Sequence, residues 1–156
     1  MKIRTLILQV LFLVALVAVG CENNTPVDPQ PEVKEFDFVN VVRTHTKLSV
    51  DICPENKDME YIVLLAEKKH FLMNGIDTRE ELLEDDKSYL LQLAQQYNIS
   101  IHEFLTKIGW LVTGDKLGYS AENLYPGTEY VVYCYGVNFD GDSYEVTTPV
   151  NYTVIK

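Results

Sequence analysis

The chain has 156 residues, room for one ordinary domain, and its 13 Lys and Arg against 23 Asp and Glu give a formal charge of −10. With 47% hydrophobic residues it is neither collagen-like nor wholly disordered, and the absence of clustered cations argues against a nucleic-acid partner. Three cysteines without CxxC spacing make neither a disulfide framework nor a zinc site, so no metal and no cofactor are expected.

Lys2 and Arg4 form a short basic start, followed by an apolar stretch from Leu6 to Val19 broken only by Gln9. That stretch is shorter than the ~20 residues that span a bilayer, so it reads as a secretory signal peptide over residues 1–20 rather than a transmembrane helix. Ala18-Val19-Gly20-Cys21 resembles the bacterial lipobox, in which small residues precede a cysteine that is acylated after cleavage. Ala18 stands where leucine is commonest, and an ordinary signal with an incidental cysteine is the alternative. The resemblance implies a lipoprotein of the bacterial cell envelope, at the outer membrane, with acyl chains such as palmitate on Cys21 making the membrane itself a stable partner. Cleavage would leave 136 residues, and the loss of Lys2 and Arg4 would take the charge to −12. Residues 21–35 contain Pro26, Pro29 and Pro31 and little that is apolar, so they read as a flexible tether of up to roughly 40 Å.

From Phe36 the pattern has mostly period two. Phe36, Phe38 and Val41 or Val42 suggest a first strand. Leu48, Val50 and Ile52 alternate with polar residues in a second that ends at Cys53-Pro54, before the turn cluster Glu55 to Asp58. Tyr61 to Ala66 is a continuous apolar run of strand length, which places it centrally. The period then changes. Asp77 or Thr78 can cap a helix over 78–97, and Ser100 with Glu103 forms a capping box for a second over 100–108, closed by Gly109. Residues 77–109 therefore read as a helical insertion. Leu117 to Ala121 is a weak strand candidate. Glu129 to Asn138 is a strong one, with Tyr130, Val132, Cys134 and Gly136 on one face and Val131, Tyr133, Tyr135 and Val137 on the other. Asp140-Gly141 suits a tight hairpin, and Tyr144 to Ile155 returns as the last strand, interrupted by Pro149.

Leu124-Tyr125-Pro126-Gly127-Thr128-Glu129-Tyr130 resembles the corner that precedes the penultimate strand of fibronectin type III domains. The resemblance implies an immunoglobulin-like β-sandwich over 36–156, with Tyr130 as the corner tyrosine that bonds back to the backbone. The two-helix insertion departs from the simple pattern and is similar to fibronectin-like domains of surface lipoproteins and secreted cysteine peptidases of Bacteroidota. The resemblance also places Cys53 and Cys134 on the two strands bridged in antibody domains. Strand phase turns Cys53 outward and Cys134 inward, and only a bulge at Pro54 would align them for a disulfide.

Little in the sequence points to catalysis. His45, His70 and His102 are scattered, and nothing around Cys53 or Cys134 resembles a peptidase signature. Glu80, Glu81, Glu84, Asp85 and Asp86 read as a solvated helix start favoured by the macrodipole. Aromatic residues are the remaining signal. Trp110 lies between glycines, and Tyr133 and Tyr135 lie on the non-core face of their strand, where either the insertion packs or a partner does. The expectation is a non-enzymatic, lipid-anchored binding or adhesion module for an unidentified envelope protein or glycan. An inhibitor or partner of a secreted cysteine peptidase is the alternative, and an enzyme a weaker one.

Overall fold

The computed structural model describes residues 34–71 and 79–156. The signal segment, Cys21, the tether up to residue 33, and Asp77 and Thr78 lie outside the described residues. The chain divides into two units, Met1–Glu32 and Val33–Lys156, and everything described falls in the second.

Among the described residues the protein is mainly β, with two antiparallel sheets and three helices. Strands β1 (Phe36–Arg43) and β2 (Leu48–Pro54) pair with β5 (Lys116–Ala121) in the order β1-β2-β5. The second sheet joins β4 (Leu111–Thr113), β3 (Glu60–Glu67), β6 (Tyr130–Asp140) and β7 (Ser143–Val146) in the order β4-β3-β6-β7, and β8 (Asn151–Ile155) also pairs with β6. Helices α1 (Lys68–Phe71), α2 (Arg79–Tyr97) and α3 (Ile101–Ile108) lie between β3 and β4 in the chain. The insertion thus begins at Lys68, earlier than the expected 77, because β3 passes directly into a short helix.

Two apolar clusters sandwich the larger sheet. Leu48, Val50 and Ile52 of β2 pack on Tyr61 and Val63 of β3 and on Tyr130, Val132 and Cys134 of β6. On the opposite face, Ile62, Leu64, Val131, Tyr133 and Tyr135 pack against Leu82, Leu90, Phe104 and Leu105 of the helices. Burial on both faces is why β3 and the first eight residues of β6 read as unbroken apolar runs, whereas β2, covered on one face, alternates.

Local chemistry fixes the joints. The Asp51 carboxylate accepts from Asn40 Nδ2 at 2.7 Å and from Gly118 N at 2.6 Å, joining β1 and β5 through β2. Asn40 and Gly118 both have positive φ, and each lies where a strand register shifts. These hydrogen bonds, Asn40 first, hold the Asp51 carboxyl below the usual range. Ser100 Oγ accepts from Glu103 N, and Gly109 closes α3 at φ 74° with its N–H on Leu105 and Thr106 carbonyls. The last stretch splits into β7 and β8 around Pro149, which has no N–H for a ladder. Asp140 pairs with Ser143, so the hairpin loop is Gly141-Asp142, with the glycine first at φ 58°.

At the corner before β6, Tyr130 is buried and its hydroxyl accepts from Tyr125 N at 3.0 Å. The Arg43 guanidinium lies 5.1 Å from the Tyr130 ring centroid and donates to Tyr125 O at 3.2 Å. A strand from the other sheet therefore clamps the corner.

Candidate functional site

The inward stripe of α2 is Leu82, Asp86, Leu90 and Ala94, four residues apart on one face. Three are apolar and one is a carboxylate. Asp86 is 9% exposed and sits over β6. Tyr133 Oη donates to its Oδ1 at 3.0 Å and Tyr135 Oη to its Oδ2 at 3.3 Å, while the Tyr135 and Tyr144 hydroxyls lie 3.4 Å apart. Desolvation pushes the Asp86 carboxyl up to about 7; the two tyrosine hydrogen bonds oppose the rise and the Asp85 charge adds to it. Burial first, and then Asp86, drives the Tyr133 and Tyr135 hydroxyls far above their ordinary range, and burial takes Tyr144 up to about 12. The Lys87 ammonium turns to the Tyr144 ring, 5.5 Å from its centroid.

This placement decides between the two alternatives for Tyr133 and Tyr135, since the insertion packs over them and leaves them 4% and 0% exposed, and it corrects one expectation. Asp86 does not belong to a solvated face with its acidic neighbours, because its helical phase is that of Leu82 and Leu90 rather than of Glu84 and Asp85. Spacing four residues from two leucines was the signal in the sequence that could have singled it out.

Asp86 borders a cleft of about 650 Å³. Leu64 and Leu65 of β3 line it, Asp86 and Tyr89 of α2 form one wall, and Lys116, Tyr119 and Ser120 of β5 form another. Trp110, half-buried after the Gly109 cap, sits at its lip. The cleft arises because β4 is short. It pairs with β3 over Glu60 to Ile62, and Val63 N donates to Trp110 O at 2.9 Å. Beyond that point no β4 residue pairs with β3, leaving room between α2, α3 and β5. The cleft combines aromatic rings with one buried acid, a composition suited to ligand binding.

The remaining sequence-predicted residues are not brought together there. Cys53 and Cys134 are free, which corrects the possible disulfide. Ile52 points into the space between the sheets, so its neighbour Cys53 faces out, while Cys134 points in. Pro54 does not reverse that phase. Burial, followed by the Asp115 charge, pushes the Cys53 thiol up, and burial holds Cys134 well above its ordinary value, the reverse of an activated nucleophile. His45 and His70 are exposed on a turn and on α1, and His102 Nε2 lies 3.4 Å from Glu60 Oε1. Among the described residues no group of three His, Cys, Asp or Glu is placed to hold a metal ion, and no helix is long and apolar enough to cross a membrane.

No protein-family model matches the chain, and neither curated proteins nor solved structures provide a match.

Proposed function

We propose that the protein is a lipid-anchored, non-catalytic binding module of the bacterial cell envelope, built on a fibronectin type III-like sandwich whose helical insertion forms the recognition surface. One observation carries the binding reading: the insertion ends in a cleft walled by Trp110, Tyr89 and Tyr119, open to solvent beside the sheets. Rigid aromatic side chains at such a rim give large contact area at low entropic cost. Support for the fibronectin-like part comes from the strand orders β1-β2-β5 and β4-β3-β6-β7, and from the Tyr130 bond to Tyr125 N at the corner before β6. The anchoring part rests on Lys2, Arg4, the apolar stretch and Gly20-Cys21.

Two measurements test the proposal. Cys21→Ser should move the protein from the membrane to the soluble fraction; retention with a processed signal would refute the anchor. Capture from intact cells should recover a partner with the native chain and lose it with Trp110→Ala in a variant of unchanged circular dichroism. Undiminished capture would place binding outside the cleft.

A further inference from the structure

Resting on the cleft as the binding surface, we propose that it recognises an organic cation, an ammonium or guanidinium group on an aliphatic stem, seated between the Asp86 carboxylate and the rings of Trp110, Tyr89 and Tyr119. Asp86 is nine-tenths buried, its hydrogen-bond partners are two tyrosine hydroxyls, and no cation among the described residues forms an ion pair with it. A buried carboxylate without a counter-charge is costly, and a guest cation would supply the missing charge. Lys87, next to it in sequence, is turned to the Tyr144 ring instead. Lys116 borders the opposite wall and makes no ion pair with Asp86 among the described residues. The rings suit the same guest. An aromatic face attracts a cation within about 6 Å of its centroid, and the stem of a lysine or arginine packs on apolar surface. Leu64, Leu65 and Ile108 provide that surface. Outside the cleft, exposed Glu84 and Asp85 on the same helix contribute a negative field. An anionic guest would meet that field and Asp86 together. A neutral sugar would leave the acid's charge uncompensated.

Trp110 is the chain's one tryptophan, so its fluorescence reports directly on the cleft. The purified full chain is titrated with capped lysine and arginine amides, with butylamine, with a capped norleucine amide of matching stem and no charge, and with a neutral chitooligosaccharide. Both capped cations should give a saturable change, with norleucine and the saccharide weaker by about tenfold or more, the worth of one partly desolvated charge contact. Asp86→Asn should weaken the cations by about tenfold and leave norleucine unchanged. Butylamine binding as well as the capped residues assigns the site to free amines and side chains alike; binding of capped residues alone assigns it to a protein partner. Equal binding of norleucine or the saccharide, or an unaltered response in Asp86→Asn, overturns the inference while leaving the cleft a binding site. No saturable response to any probe also overturns it, and capture lost with Trp110→Ala would then show that the broader binding reading survives.

Discussion

Replacing Asp86 with Asn should stabilise the protein at neutral and alkaline pH, although it alters a buried, hydrogen-bonded residue. The carboxyl is held from its ordinary 3.8 up to about 7 in the folded state. A folded-state value raised above the unfolded one means that the native protein holds the extra proton between those limits. Stability is therefore full below about pH 4, falls as pH rises towards 7, and is flat above it. At about 1.4 kcal/mol per pH unit the penalty at pH 8 has an upper bound of about 4 kcal/mol. Water admitted through the cleft lowers the expected loss to about 2 kcal/mol. The hydroxyls facing Asp86 titrate above this window, Tyr133 and Tyr135 from β6 and Tyr144 beyond them, while Asp85 and Lys87 flank it on α2. An asparagine keeps the geometry, since its Oδ1 can accept from Tyr133 while its amide donates to Tyr135, which in turn donates to Tyr144. Urea denaturation followed by circular dichroism at pH 5, 6, 7 and 8 provides the assay. The variant should lead by about 1 kcal/mol at pH 5 and by about 2 kcal/mol at pH 8. Parallel stability curves, or a variant weaker at every pH, would refute the assignment of Asp86 as a desolvated acid.

Other consequences are more local. Tyr130→Phe removes the acceptor of Tyr125 N and should cost about 1 kcal/mol in urea, whereas an unchanged midpoint would show that the corner bond contributes nothing. Gly136→Ala places a methyl 2.5 Å from Met59 Sδ, 2.6 Å from Thr147 Oγ1 and 2.9 Å from Thr148 Cγ2; it should cost about 1–3 kcal/mol, and Met59→Ala in the same chain should recover part of that. With aromatic disulfide reagent, Cys53 should react in the native protein and Cys134 only after unfolding, while failure of both to react in denaturant without reductant would indicate a bridge.

The strands and helices were legible where one physical cause dominates. Leu48, Val50 and Ile52 alternate because β2 is covered on one face, and Ser100, Glu103 and Gly109 mark α3 because its ends need partners for orphan backbone groups. The phase of Cys53 against Cys134 likewise followed from alternation alone. Less was legible of β4, whose three residues are held by pairing with β3 rather than by any pattern of their own, and of α1, a single turn. The site was mostly hidden. Trp110 could be named as an isolated aromatic, but Tyr89 and Tyr119 come together with it only through the packing of α2 over one sheet and the placement of β5 in the other. Asp86 was concealed by composition, since four exposed acids nearby make a fifth look alike when only its phase on the helix distinguishes it.

The most direct test of the cleft as the recognition surface is site-specific photocrosslinking in intact cells. A photoreactive side chain replaces Tyr89, 54% exposed at the cleft wall, or Tyr125, 68% exposed at the corner before β6. Position 89 should give a discrete covalent adduct that Trp110→Ala abolishes, and position 125 should give none. An adduct from 125 with none from 89, or one from 89 indifferent to Trp110→Ala, would contradict the cleft as that surface.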